Sequence, residues 1–287
     1  MGEKTAISWT SKTWNPWRGC TPVSPGCAHC YALKRMKEVG FDPATVTRTK
    51  TWADPLRWES EAGMIDERAP ISPAIQNLKS KIQNSQRVFT CSWSDWFHPA
   101  ADPWRAEAWE VVRRCPNLIF QILTKRPEMI SDRLPPDWDA GPPEPEGRRR
   151  AGYPNVWLGV SVENPQFLWR MDVLRQIPAA VRFVSAEPLL APLGTLNLEG
   201  FQWVIIGGES GPGFRPMDHA WAREIRDQCQ REEIAYFFKQ SAAIRTEMGI
   251  LLDGREWKEY PGNIGPSGDR IIEPSQVNRS INEPMNR

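Results

Sequence analysis

Residues 156–164 read VWLGVSVEN: a run of apolar residues without polar alternation that ends on Ser161, Glu163 and Asn164. A continuous apolar run of this length suits a strand covered on both faces, as in a parallel sheet. Similar runs occur on either side of it: Arg87–Cys91, Leu118–Leu123, Val181–Val184, Trp203–Ile206 and Ala235–Phe238, with a weaker candidate at Thr5–Trp9. Helical spacing fills the gaps. Trp104, Ala108, Val111, Val112 and Cys115 share one face, Trp221, Ile225 and Cys229 another, and Tyr31–Val39 forms a short helix closed by Gly40. Alternating strands and helices define βαβ units, and so an α/β fold. The strand ends choose between a barrel and a doubly wound sheet. Ser94-Asp95, Thr124-Lys125, Ser161 to Asn164, Glu187 and Gly207-Gly208-Glu209 all follow strands. Polar groups delivered at five successive carboxyl ends match the active face of a barrel. A doubly wound sheet would concentrate them at one switch point. The expectation is a partial or full (β/α) barrel over residues 1–240.

Two segments depart from this rhythm. Residues 135–154 are a Pro/Gly-rich loop, and residues 241–287 are read as a hairpin around Asp253-Gly254 followed by a tail. The chain has 36 basic and 35 acidic residues and is 40% hydrophobic, which excludes disorder as a whole and a binder that relies on bulk positive charge. Arg148-Arg149-Arg150 is still a local candidate for phosphate contact. Met1–Thr10 has no apolar core for a signal peptide, and no run is long enough for a membrane span, so the expected location is the cytoplasm. The 27 prolines predict many loops and sharply ended elements, and the 15 tryptophans call for an explanation.

In a reducing compartment the cysteines read as metal or redox sites before disulfides. Cys20, Cys27 and Cys30 are spaced C-x6-C-x2-C in a loop tightened by Gly19, Pro22, Pro25 and Gly26. Three thiolates on one loop suit a [4Fe-4S] cluster whose fourth iron is open to an external ligand. The alternative is a structural zinc site with His29 or His98 as fourth ligand. An open iron position is what a radical S-adenosylmethionine enzyme uses to chelate the methionyl end of its cofactor. Cys91, Cys115 and Cys229 lie in apolar stripes and read as buried thiols, although Cys91 is near enough to the active face to act as a hydrogen donor. Trp14, Trp17, Trp93 and Trp96 bracket the cysteine loop and Ser94-Asp95. They are expected either to shield the cluster or to stack on adenine or a substrate base.

The ordered set WNPWRGC…GCAHCYA, SWSDWFHP, LTKRPE, GVSVEN, AEPLL and WVIIGGESGPGFRPM, over residues 14–217, resembles the phage Gp37/Gp68 family, which is regarded as radical-SAM-like. A more distant resemblance is to spore photoproduct lyase, which holds S-adenosyl-L-methionine with a Ser-Asp pair, a Lys and a Ser from successive strands. Ser94, Asp95, Lys125 and Ser161 occupy the matching contexts here. The departure is six residues, rather than three, between the first two cysteines. The resemblance implies a radical SAM enzyme of isomerase or lyase type acting on a nucleic-acid base, with a flavodoxin or ferredoxin as low-potential electron donor. Modification of a peptide is the alternative enzyme reading, and a zinc-stabilised nucleic-acid-binding module the non-enzyme one. On the enzyme reading Gly207 and Gly208 allow close backbone approach to the cofactor, Glu209 binds a ribose hydroxyl or the substrate, and the His29 ring covers the adenine. Glu187 is a substrate-side acid unless it pairs with Arg182 or Arg215, and His98 shares a site with Asp95.

Overall fold

A computed structural model describes residues 5–63, 86–138 and 152–262. Arg148–Arg150, most of the 135–154 loop and the tail from residue 263 lie outside the described residues. The strands are β1 (Lys12–Trp14), β2 (Trp17–Arg18), β3 (Thr47–Arg48), β4 (Gln86–Thr90), β5 (Leu118–Thr124), β6 (Val156–Ser161), β7 (Val181–Ala186), β8 (Trp203–Gly207) and β9 (Ala235–Gln240). The α-helices are α1 (Tyr31–Glu38), α2 (Asp54–Gly63), α3 (Asp102–Arg113), α4 (Trp169–Arg175) and α5 (His219–Arg231). Seven strands form one sheet in the order β1-β4-β5-β6-β7-β8-β9, and every neighbouring pair is parallel. Spatial order follows chain order without a reversal, so there is no switch point and the doubly wound alternative fails. The sheet curls into a half-barrel, with β1 and β9 as its two edges. β2 and β3 form a separate antiparallel pair.

Side chains alternate cleanly between the two faces. Phe89, Ile119, Trp157, Phe183, Trp203, Ile205 and Phe237 pack together on the inner face. Val88, Phe120, Ile122, Leu158, Val160, Val184, Val204, Ile206 and Phe238 belong to the outer layer, with Ala108, Val112, Leu174, Ile225 and Cys229 from the helices. Both faces are thus buried, which is why the strands read as unbroken apolar runs. Gly159 belongs to this packing. A Cβ there would collide with the Phe183 ring, which lies over its backbone.

The fold departs from the expectations in two places. Thr5–Trp9 forms no strand; β1 begins at Lys12, in register with Val88. The Trp9 ring instead enters the inner face, 4.6 Å from Phe89 and 6.0 Å from Trp203. Between β7 and β8 no helix forms. Leu189, Leu193, Leu196, Leu198 and Phe201 on an irregular segment cover the outer face there, and Pro188 and Pro192 interrupt helical hydrogen bonding. Helix α1 ends as read, on Gly40 at φ +72°, with Phe41 N–H donating to Met36 O (2.9 Å) and Gly40 N–H to Lys37 O (3.0 Å). No helix among the described residues is long and apolar enough to cross a membrane.

Candidate functional site

A cavity of about 220 Å³ opens at the carboxyl ends of the parallel strands. One wall is the cysteine loop, with Cys20, Cys27 and Cys30 all lining it. The facing wall is built by the strand ends: Cys91 after β4, Lys125 after β5, Ser161 on β6, Ser185 and Glu187 from β7, Gly208 and Glu209 after β8, and Lys239 on β9. Ile7, Trp9, Phe89 and Leu123 supply apolar lining. Sequence reading missed Ser185, Lys239 and Arg126. The signal was available for two of them: Ser185 lies in register with Ser161, and Lys239 is the polar residue that ends an aromatic run, on the inward side set by Phe237.

Much of the polar equipment at the strand ends grips the loop. Gly19 N–H donates to Trp93 O (3.0 Å), and Ser94 Oγ donates to Gly19 O (2.5 Å). Gly19 itself, at φ +99°, has no room for a Cβ against the Thr45 carbonyl. The buried Asp95 carboxylate accepts from Phe97 N (2.9 Å), Thr124 Oγ1 (2.7 Å), Lys125 N (3.0 Å) and Arg126 Nη1 (3.2 Å). Arg126 in turn donates to Thr21 O (2.7 Å) and Thr21 Oγ1 (2.9 Å), and approaches Cys20 Sγ at 3.6 Å. Burial, with the nearby Asp95 charge, pushes the Cys20 thiol up to about 11 despite Arg126.

Further along the loop, Glu163 Oε1 accepts from Gly26 N (3.2 Å), while Glu163 Oε2 pairs with Arg170 at 2.9 Å. Both members of that ion pair are fully buried. Glu209 completes the grip. It accepts from Arg215 N (2.8 Å) and Nε (3.0 Å), pairs with Arg215 Nη2, and lies 2.8 Å from His29 Nδ1, while Arg215 Nη1 donates to Pro25 O (3.1 Å). Burial alone would raise the Glu209 carboxyl, but the hydrogen bonds from Arg215 and His29 outweigh it and hold the group at about 2.

The expected cofactor contacts therefore divide. Ser94, Asp95 and Glu209 are hydrogen-bonded to the chain itself. Gly207 and Gly208 let the chain approach closely: a Cβ on Gly207 would press on Glu187 and one on Gly208, which also lines the cavity, would collide with the Ala242 backbone. By contrast Lys125, Ser161 and Ser185 line the cavity, and the ammonium and the two hydroxyls make no hydrogen bond or ion pair to any described residue. Cys91 lines the cavity at φ +57°, an uncommon conformation for a residue with a side chain, and burial raises its thiol well above the ordinary value. Glu187 pairs with Lys239, not with Arg182 or Arg215; Arg182 donates to the Ile177 carbonyl (2.6 Å).

His98 does not line the cavity; it joins Asp95 indirectly, through Thr21 and Arg126. Its Nδ1 accepts from Ala100 N (3.2 Å), which leaves Nε2–H to donate to Thr21 Oγ1 (3.1 Å). Burial and the neighbouring Arg126 both hold its pKa down. Trp14, Trp17 and Trp96 are fully buried behind the loop and cannot stack on a ligand; of the four tryptophans around the motifs only Trp93 reaches the cavity. Among the described residues no group of three or more His, Cys, Asp or Glu side chains is gathered tightly enough to hold a metal ion. The donor set is nevertheless coherent in type: three thiols from one loop on one wall, with His29 engaged by Glu209 and His98 by Thr21.

Fold and site together define a (β/α) half-barrel protein with a three-cysteine loop clamped over a cavity at the strand ends. The chain belongs to the family described as Protein of unknown function (DUF5131), whose model matches residues 4–261. No curated protein and no solved structure matches it.

Proposed function

We propose that this protein is a radical S-adenosylmethionine enzyme, with Cys20, Cys27 and Cys30 as the protein ligands of a [4Fe-4S] cluster. One observation carries the reading: the three cysteines share a cavity with Lys125, Ser161 and Ser185, whose side chains make no hydrogen bond or ion pair to any described residue. A donor set of three sulfurs suits a cluster with one open iron; of the two histidines that a four-ligand zinc site would draw on, His98 has both ring nitrogens hydrogen-bonded, while His29 is bonded through Nδ1 and keeps Nε2 as the ligand of the competing zinc reading. The bound pair supplies one-electron reductive cleavage of the sulfonium and hydrogen abstraction from a substrate, the electron coming from a flavodoxin or ferredoxin.

The chain's own groups have distinct tasks. Lys125 meets the methionyl carboxylate, and Ser161 with Ser185 offers hydroxyls to the polar parts of the cofactor. Cys91 is held protonated by burial, so it presents an S–H rather than a thiolate to the cavity, as a hydrogen donor requires. The Glu187–Lys239 pair and the apolar lining of Trp9, Phe89 and Leu123 suit a planar substrate with polar edges, and a nucleic-acid base is the proposed class.

Anaerobic reconstitution with iron and sulfide tests this. The expected result is about four irons per chain and formation of 5′-deoxyadenosine with a reductant. Cys27→Ser should lose the iron, whereas Lys125→Ala should keep the iron and lose cofactor binding. One zinc per chain and no deoxyadenosine would overturn the proposal.

A further inference from the structure

The mouth of the cavity carries aromatic and cationic side chains that the rest of the fold does not use. Tyr31, the first residue of α1, lines the cavity yet is 53% exposed. Its hydroxyl donates to Ser92 O (2.9 Å), which pins the ring between the cysteine loop and the segment after β4. Trp93, next to that carbonyl, also lines the cavity and is half-buried. Among the described residues no aromatic ring or cation packs on either ring, and the Trp93 indole N–H has no hydrogen bond. The tryptophans behind the loop differ: Trp96 lies 5.8 Å from Trp14 and 5.1 Å from Trp17 between ring centroids. Lys34 follows Tyr31 by one turn on the same face of α1. It is exposed, and its ammonium makes no hydrogen bond or ion pair to any described residue, whereas Arg35 pairs with Glu38 (3.0 Å) and Lys37 lies near Asp42. On the β8–β9 side, Ala243 N–H donates to Glu209 O (3.0 Å) and Gly211 N–H to Ala243 O (3.0 Å). Arg245 therefore sits just beyond the Glu209 wall, exposed and likewise without a partner among the described residues.

We propose that Tyr31, Trp93, Lys34 and Arg245 form a docking surface for single-stranded nucleic acid, so that the base entering the cavity arrives as part of a strand. The inference rests on the nucleic-acid-base reading above and extends it from the base to the polymer.

A free nucleoside would be held by the cavity alone and would leave the groups at the mouth without a task. A strand brings flanking bases and one phosphate per nucleotide to that position. Stacking requires an exposed ring face and tolerates any base. Because the Tyr31 hydroxyl is already bonded, little freedom is lost when a base settles on the ring. The open Trp93 N–H adds a donor for a phosphate or sugar oxygen, and Lys34 and Arg245 supply charge on two sides of the opening. The balanced charge of the whole chain is no obstacle, since cations at the mouth act over a screening length of about 8–10 Å. Two phosphate contacts imply a shallow salt dependence, with a slope of log Kd against log salt of about 1.4.

Fluorescence anisotropy tests this with the reconstituted full chain and a fluorescein-labelled, mixed-sequence single-stranded DNA oligonucleotide. An RNA of the same sequence and the DNA duplex are parallel arms, and nucleosides and an acidic peptide of matching charge are competitors. The expected result is that a single strand, DNA or RNA, binds more tightly than the duplex, the nucleosides and the peptide. Tyr31→Ala and Trp93→Ala should each weaken that binding by about 5- to 150-fold. Tyr31→Phe keeps the ring face and should retain most of the affinity. Lys34→Gln and Arg245→Gln, both at exposed positions, should each lower the salt slope by about 0.7, and they keep the test decisive if loss of a ring disturbs the loop. Equal affinity for the acidic peptide would make the surface a protein-docking site and overturn the proposal. So would binding unchanged in Tyr31→Ala and Trp93→Ala, or a salt slope unchanged in both cation variants. Iron content and 5′-deoxyadenosine formation are measured on the same samples. Cluster chemistry without strand binding overturns this inference alone, and strand binding without iron overturns the enzyme reading alone.

Discussion

Glu163 and Arg170 test whether the loop is held by buried charge. Glu163→Gln keeps an oxygen for Gly26 N–H but leaves the Arg170 guanidinium, 1% exposed, without its counter-charge; among the described residues the Ser161 carbonyl at 2.8 Å and the face of the Phe167 ring at 4.2 Å remain to it. Breaking a buried pair from one side costs about 3–5 kcal/mol. At about 2–3 °C per kcal/mol for a chain of this size, the midpoint should fall by about 6–15 °C. Removing both charges, as Glu163→Leu with Arg170→Met, should cost much less, because the desolvation of two ions is also removed. What remains is the lost acceptor for Gly26 N–H, about 1–3 kcal/mol. Urea denaturation of the wild type, both single variants and the double variant closes the cycle. Reaction of Cys27 with a thiol reagent adds a local readout: it should speed up in the double variant, where Gly26 is released, and not in Glu163→Gln. A Glu163→Gln stability within about 1 kcal/mol of the wild type, or a double variant as unstable as the sum of the singles, would refute the reasoning.

Glu209→Gln should destabilise the protein by about 2–3 kcal/mol at neutral pH, since the folded-state value of about 2 lies below the ordinary 4.5. Because the folded value is the lower one, this stabilisation is complete above about 4.5 and is lost as pH falls through about 2; denaturation curves of the two proteins should converge in acid, and a constant difference down to that range would contradict the assignment. Gly159→Ala should cost about 1–3 kcal/mol by overpacking against Phe183. Combining it with Phe183→Leu should recover stability in the same denaturation assay, whereas simple additivity would show that the two residues are not in contact.

The architecture was legible because both faces of the sheet are buried. Strands such as Val156–Ser161 and Trp203–Gly207 therefore lack polar alternation, and their polar residues collect at the ends. Thr5–Trp9 has the same composition, yet β1 forms at Lys12–Trp14, because the Trp9 ring packs between Phe89 and Trp203. Composition says that a segment is buried; it does not say whether by hydrogen-bonded pairing or by insertion of one large ring.

The site shows the same limit more sharply. A carboxylate at a strand end looks alike in sequence whether it holds a ligand or holds the wall opposite. Asp95 and Glu209 have the motif context of cofactor contacts, but their acceptor positions are filled by Thr124, Arg126, Arg215 and His29. The partners that decide this come from other strands and from the loop, far away in the chain: His29 and Glu209 are separated by 180 positions. Lys125 shows the reverse. Beside Arg126 it reads as one more surface charge, yet Arg126 turns back to Asp95 and Thr21 while Lys125 lines the cavity with no side-chain partner among the described residues. Adjacent residues past a strand alternate in direction, so one basic residue of the pair braces the cysteine loop and the other remains available to an anion. A charge-conserving swap should separate these tasks. Lys125→Arg keeps a cation facing the cavity and Arg126→Lys loses the fork that spans Asp95 and Thr21, so only the latter should loosen the loop and raise the thiol reactivity of Cys20.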